Sequence, residues 1–375
     1  MHQRPLIEVL AEVPDHRQAR GKRYSLASIL ALTVVAVLCG ARRYGDVAQW
    51  GRDCAGGLTE ALGCTRGTTP CAATLHNVFK DLDIGAFEER LEGWAESVVR
   101  TVEGTTRRLR GRALDGKTLR GSKKRGAPGT HLLSLVGHGL GLTLTQQAVD
   151  DKTNEITASL EVVRRLLFTG EVLTVDALLS QREIASAIVE RGGAYLRPAK
   201  DNQPERCATI MAVLATPPSL AEPVRRATHT AVGHGRRERR TIQIRALLPG
   251  DTDWPDAAQV FRIERRVVQA KTGEVRHEVA LGVTSLRPEQ ASPGQILRLV
   301  RHHWAIENQS HYVRDVTFDE DRSQVRSGAI PQLMAARRTL AIGAMRAAGY
   351  TNIAATCRRF AARPTEALAL LGVQA

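Results

Sequence analysis

Three stretches of the chain place a carboxylate where it could do chemistry. In Ala113-Leu114-Asp115-Gly116-Lys117-Thr118-Leu119-Arg120-Gly121-Ser122 one acid stands between a short apolar segment and a run of small and cationic residues. Val172-Leu173-Thr174-Val175-Asp176-Ala177 is an apolar run that ends on an acid, and His303-Trp304-Ala305-Ile306-Glu307-Asn308 carries a third inside a long helical pattern. An Asp among so many Arg can be simple charge balance. It can equally meet phosphate through a divalent metal, since carboxylate oxygens hold Mg²⁺ against a phosphodiester. Two further acids, one at a second strand end and one on a helix, favour that second reading. Asp315, Asp319, Glu320 and Asp321 form a competing acidic cluster, in which Asp315 is the reserve candidate for a third ligand.

Such acids work only if rigid elements fix them. The strand before Asp115 is weak, with Leu109, Ala113 and Leu114 set among Arg107, Arg108, Arg110 and Arg112. Beyond it, Leu132 to Val136 and Leu142 to Ala148 read as two strands about a turn containing Gly137, Gly139 and Gly141. A helix is expected from Glu155 to Phe168, with Ile156, Leu160, Val163 and Leu167 on one face and Asn154 as its cap. Val172 to Val175 is a buried strand. A helix with Ile184, Ala187 and Ile188 follows and stops at Gly192-Gly193, and Tyr195-Leu196 opens the next strand. Strand, hairpin, helix, strand, helix, strand is a mixed α/β order of the ribonuclease-H-like kind.

Composition bounds the partner. The chain has 375 residues, 43% of them hydrophobic, which is more than one ordinary domain with a full core. A net charge of +14, with Arg spread along the whole length, points to a polyanion rather than to a basic tail. The six Cys, at 39, 54, 64, 71, 207 and 357, include no C-x-x-C pair, so reduced thiols in the cytoplasm and no zinc site are expected. Ser25 to Ala41 is short for a membrane span and basic on both flanks, which predicts a buried core helix and no membrane association.

Residues up to Glu103 read as a helical domain whose stripe of Val47, Trp50, Leu75, Val78, Phe79, Leu82, Phe87, Leu91, Trp94 and Val98 suits a core. Between Gln203 and Ser292 the pattern turns to alternating strands: Arg225 to Ala231, Thr241 to Ala246, Gln259 to Val268 and His277 to Ser285. Arg225, Arg226, Arg236, Arg237, Arg239 and Arg240 crowd one hairpin there. They are either charges that protect a sheet edge or a surface that faces DNA. A single helix from Pro293 would set Glu307 on one face with Val300, His303 and His311. The last helices, Pro331 to Ala348 and Asn352 to Ala362, would pack on the core with Arg337, Arg338, Arg358 and Arg359 outward.

Four ordered phrases, LDGKTLRGS, TVDALLSQ, RPAKDNQP and HHWAIENQSHYVRDVTFDEDRSQVRSG, resemble the H-repeat-associated family of insertion-sequence transposases over nearly the whole chain. The resemblance implies a DDE catalytic core behind an N-terminal helical associated domain. Asp115, Asp176 and Glu307 match the acidic triad, which would hold two Mg²⁺ ions, with Mn²⁺ able to substitute. Of the wider superfamily's Tyr, Arg, Glu, Lys signature, Val300 and His303 stand at the Tyr and Arg positions, and Arg314 takes the place of the Lys. Lys117, Arg120, Lys200, Asn202, Gln203, His303 and Arg314 would then contact phosphate. The partners implied are double-stranded DNA, at the element's terminal inverted repeats and at the target, and a second copy of the chain when DNA is bound. A DNA-binding remnant that no longer cuts is the other reading. The domain plan expected is a helical associated domain over 1–104, the first part of the catalytic core over 105–204, a β-rich insertion over 205–291, and the closing catalytic helix with the C-terminal helices over 292–375.

Overall fold

The computed structural model describes residues 4–54, 56–103, 109–124, 126, 128–149, 155–165, 169–176, 181–199, 203–217, 222–233, 235–304 and 306–373. In chain order, helices α1 (Leu6–Ala11), α2 (Leu26–Leu38), α3 (Tyr44–Asp53), α4 (Gly57–Ala61), α5 (Ala72–Lys80) and α6 (Ile84–Glu103) lead to strand β1 (Arg110–Thr118). The hairpin β2 (His131–Gly137) and β3 (Thr143–Val149) follows, then α7 (Glu155–Arg165), β4 (Glu171–Val175), α8 (Arg182–Glu190), β5 (Ala194–Ala199) and α9 (Pro204–Ala215). Strands β6 (Arg225–Gly233), β7 (Arg236–Ala246), β8 (Gln259–Gln269) and β9 (Val275–Thr284) precede α10 (Pro293–His303). The chain closes with α11 (Tyr312–Val316), α12 (Ile330–Ala347), α13 (Ile353–Ala362) and α14 (Pro364–Leu370). The result is a mixed α/β fold, and its strands and helices fall largely where the hydrophobic periods put them.

Two compact units cut across that order. One joins Met1–Thr106, Gly116–Lys152 and Ala305–Ala375; the other joins Arg107–Asp115 with Thr153–Trp304. Strand β1 serves both, its first six residues in the second unit and its last three in the first. The N-terminal helices therefore share a core with the C-terminal ones instead of standing alone as residues 1–104.

In the first unit α2 is the central rod. Ser25 caps it by accepting a hydrogen bond from the Ser28 backbone, and almost every residue from Leu26 to Leu38 is buried. Thirteen residues span about 20 Å, short of a bilayer's hydrocarbon thickness of about 30 Å. Among the described residues no helix is long and apolar enough to cross a membrane. Helices α1, α3, α12, α13 and α14 wrap α2, and α6 with α12 packs on β3. The chain ends are tied together where the Ile7 N–H donates to the Leu371 carbonyl at 2.9 Å. The β2–β3 hairpin continues alongside the end of β1, with Thr118 Oγ1 2.9 Å from His131 Nδ1.

The second unit is built on a large sheet ordered β1-β4-β5-β9-β8-β7-β6. Strands β1, β4 and β5 run parallel, and β9 joins β5 antiparallel before the β8, β7, β6 meander. The expected β-rich insertion is thus the same sheet carried onward, and it opens with a helix, α9. Helix α10 covers one face through Ile296, Leu297 and Leu299 against Ile242, Ile244, Phe261 and Ile263. On the opposite face α9 lays Ile210 and Val213 on Val260.

Candidate active site

In the second unit the first two acids sit at neighbouring strand positions. Parallel pairing of β1 with β4 sets Leu114 opposite Val175, so the next residues on the two strands are Asp115 and Asp176. Side chains alternate along a strand, which puts both acids on the face that carries Ala113 and Thr174. The strand that looked weak in sequence holds because Arg112 is not a surface cation. It is buried against Glu171, with Nε and Nη2 donating to the two carboxylate oxygens at 3.0 and 2.6 Å. A fork-to-fork pair of this kind satisfies both charges inside the sheet.

Thr174 fixes the end of helix α10. Its hydroxyl donates to the Arg112 carbonyl at 3.0 Å, which uses its one proton, so at the 2.9 Å contact with His303 the imidazole Nδ1 is the donor. His303, expected to meet phosphate, is therefore anchored to β4 by that nitrogen. Sequence reasoning missed Thr174 and Glu171. Their signal was the alternation in Glu171-Val172-Leu173-Thr174-Val175, which puts Thr174 on the face of Asp176 and Glu171 on the face of Arg112.

In the first unit the third acid lies on a different kind of element from the one expected. Helix α10 stops at His303 with Trp304 as its C-cap, and Ile306–His311 forms a wide π-helical turn before α11. The continuous helix that would align Glu307 with Val300 and His303 is thus corrected. Hydrophobic spacing does not register a change of hydrogen-bond pitch. Glu307 keeps one of its expected neighbours, because His311 Nδ1 lies 3.8 Å from its Oε2. The adjacent His311 imidazole, and after it the charge of Lys117, hold the Glu307 carboxyl below its ordinary range despite partial burial. His311 is buried while Glu307 is exposed, so the imidazole forms the wall and the carboxylate faces solvent.

The tails of the first and fourth sequence phrases lock together in this unit. Gly121 packs so tightly that a Cβ there would come within 2.3 Å of the Ser323 carbonyl oxygen. Lys117 Nζ lies 2.7 Å from Asp315 and 3.8 Å from Asp321, and Arg120 Nε lies 3.4 Å from Asp321. Lys117 is thus an internal counter-ion with little exposure, and Asp315, the reserve ligand, is the partner of Lys117. Arg120 has a side chain 83% exposed.

Arg314 departs from the expectation. It is fully buried, with Nε 2.8 Å from Glu320 Oε2, though off the hydrogen-bonding direction, and Arg338 donates to the other oxygen of Glu320 at 3.1 Å. A cation with no exposed surface cannot reach DNA, so Arg314 holds the fold and does not contact phosphate. The same cluster corrects Arg337 and Arg338, which were expected outside and are buried in α12. Burial alone would raise the Glu320 carboxyl, yet Arg314 and Arg338 outweigh it and keep it below the ordinary value. Gln203 is half-buried at the start of α9. Lys200, Asn202 and the helix cap Asn154 lie outside the described residues.

Comparison with known proteins gives this geometry a family. The model of the DDE_Tnp_1-associated domain matches residues 7–95 and that of the transposase DDE domain residues 95–343. The protein named "H repeat-associated putative transposase YhhI" of Escherichia coli K12 is 26% identical over 361 residues, 91% of this chain and 90% of its own. YncI of Escherichia coli O157:H7 is 26% identical over 356 residues, 91% of this chain and 87% of its own. An uncharacterized protein from the dhlA 3' region of Xanthobacter autotrophicus is 32% identical over 284 residues, 73% of this chain and 92% of its own. The piggyBac transposase synaptic complex with hairpin DNA aligns over 98% of this chain and 78% of that one, at a TM-score of 0.43 and 9% identity, values on which no conclusion rests. The chain belongs to the DDE transposase family, among its H repeat-associated members.

Proposed function

We propose that the protein is an insertion-sequence transposase with a ribonuclease-H-like catalytic core, which cleaves DNA strands at the ends of its own element and transfers them to a target. The observation that carries the reading is the adjacency of Asp115, inside β1 where its pairing with β4 ends, and Asp176, the residue after β4, in a chain of the DDE family. A parallel β1-β4-β5 core flanked by an antiparallel hairpin supports the fold assignment.

The donor set suits Mg²⁺, with Mn²⁺ as substitute, because Asp115, Asp176 and Glu307 offer hard oxygens. These three would hold the two ions, which supply an activated oxygen nucleophile and neutralise the leaving oxygen at phosphorus. The residues around them do the rest. His311 lowers the Glu307 carboxyl, the hydrogen bond from His303 to Thr174 stiffens β4 next to Asp176, and the buried Arg112 with Glu171 keeps β1 in register. Arg120 takes a flanking phosphate, with Lys200, Asn202 and Gln203 as further contacts. Lys117 takes one only by giving up Asp315. In cleavage a water oxygen bonds to phosphorus as the bond to the 3′ oxygen breaks. In transfer that 3′ hydroxyl attacks a target phosphodiester and displaces the target's own 3′ oxygen. Double-stranded DNA carrying terminal inverted repeats and a second copy of the chain are the partners, in the cytoplasm and at the nucleoid.

The alternative is a DNA-binding remnant without cleavage, and intact acids in intact flanking motifs argue against decay. Incubation with DNA bearing the element's ends, with and without Mg²⁺ or Mn²⁺, decides between them. Metal-dependent nicking that Asp115→Asn, Asp176→Asn or Glu307→Gln reduces by several orders of magnitude is expected. End-DNA binding without cleavage under either metal would make the remnant the correct reading.

A further inference from the structure

The cations of the β6 to β9 ladder fall on two faces whose charge is met differently. Under α10, Arg240 lies 2.7 Å from Glu238, and Arg265 reaches both Glu238 and Glu278. Those two cations are met by two carboxylates. On the other face the register aligns Thr230, Arg239, Arg266 and His277 in one cross-strand row, flanked by the row of Val232, Arg237, Val268 and Val275. The next row inward carries Thr228, Thr241 and Glu264, and Glu264 is already paired with Arg262. No carboxylate meets Arg237, Arg239 or Arg266 among the described residues, and all three are exposed.

Helix α9 covers this face at the end of the ladder that holds Val260 and Arg245, where Ile210 and Val213 pack on Val260. The outer rows stay bare and form an open groove of about 570 Å³ lined by Val232, Arg237, Arg239, Arg266 and Val268. Same-face residues repeat about 7 Å along a strand and neighbouring strands lie about 5 Å apart, so the guanidinium groups stand on a fixed grid. Charge protection of a sheet edge needs cations on β6 alone; these lie on β7 and β8, inside the sheet. Their side chains therefore serve the flat of the sheet, not its rim. Among the described residues the face carries no Phe, Tyr or Trp, His277 being its one ring, which disfavours stacking on a run of unpaired bases.

We propose that the outer face of β6 to β9 docks the phosphate backbone of duplex DNA, with Arg237, Arg239 and Arg266 making the contacts. This rests on the DNA reading above and adds to it a surface remote in sequence from the acids. It also divides the Arg-rich hairpin, since Arg240 lies on the opposite face, paired with Glu238.

The test is fluorescence anisotropy of a labelled duplex of arbitrary sequence in EDTA, so that nothing is cut, across a salt series. Arg237→Gln, Arg239→Gln and Arg266→Gln together should lower the slope of log affinity against log salt by about 2.7, at about 0.9 for each phosphate contact. A control triple, Arg20→Gln, Arg66→Gln and Arg358→Gln, removes the same charge elsewhere and should leave the slope near wild type. The three Arg→Lys changes at 237, 239 and 266 should keep most of the slope. Equal slopes in the Gln triple and the control overturn the docking face and leave the DNA reading standing. A Lys triple as weak as the Gln triple also overturns it, because the loss is then structural. Tighter binding of the matching single strand, lost in the Gln triple, overturns the duplex assignment. A wild-type protein that binds no duplex at low salt overturns this inference and the DNA reading together.

Discussion

Glu307 owes the lowering of its carboxyl mainly to one neighbour, and that makes its titration separable from its presence. Its carboxyl is depressed chiefly by the adjacent His311 imidazole, so replacing His311 with Phe should return it toward the ordinary carboxylate range. The acid limb of the cleavage pH profile should then move to higher pH, since a carboxyl that binds protons more readily is lost as a ligand earlier on acidification. An unmoved limb would show that Glu307 does not govern it. Asp315 is predicted to behave differently from the triad. It is held by Lys117 at 2.7 Å, so Asp315→Asn should cost little cleavage, read in the same nicking assay as Glu307→Gln. The thiols give a prediction independent of catalysis. Cys71 is exposed and its thiol is lowered by hydrogen bonding with Thr74, whereas burial pushes Cys39 up to about 12 and Cys357 to about 11. Thiolate is the reactive form, so peptide mapping after brief alkylation should find Cys71 labelled first and Cys39 and Cys357 last.

At the scale of elements, the buried cluster joins the two helices after the π-helical turn. Arg314 of α11 and Arg338 of α12 share Glu320, and burial holds the Arg337 guanidinium down at about 9. Removing one partner of a buried ion group leaves charge uncompensated, at about 3–5 kcal/mol. Glu320→Gln should therefore lower unfolding stability by that order in denaturant titration, and a loss near zero would mean the cluster is held by packing alone. The sign with pH follows from the depressed folded value. The contribution is complete above the unfolded carboxyl pKa of about 4.3 and disappears as pH falls through the folded value. Gly141 is a second joint. It sits at φ +61°, where a Cβ would lie 2.1 Å from Gln309 Oε1, and its carbonyl, like that of Gln309, accepts from Arg346. Gly141→Val should loosen the hairpin's hold on the π-helical turn and lower the melting temperature.

At the scale of the whole chain, α2 is the element most easily misread. Its apolar run is long enough to suggest a membrane anchor, but the helix proper is 13 residues and is enclosed by α1, α3, α12, α13 and α14. Alkaline carbonate washing should leave none of the protein in a membrane fraction. The basic excess is likewise divided by the fold. Arg112, Arg314, Arg337 and Arg338 are structural, so the charge left for DNA is smaller than the +14 of the composition.

What could be read from residues alone was whatever depends on local period and local chemistry. Alternating and three-and-four spacing located β2 to β9 and most helices, and apolar runs ending in acids marked Asp115 and Asp176. The tertiary structure decided everything that depends on a distant partner. Whether an Arg is a DNA contact or a core residue is invisible in a strand or helix pattern. It turns on whether a carboxylate such as Glu171 or Glu320, carried on another element, closes over it. The same holds for the end of α10, where the register of Glu307 is set by a π-helical turn and not by spacing. Pairing, too, joined the β-rich stretch to the core, since β9 hydrogen-bonds β5 across some 80 intervening residues that no local window spans.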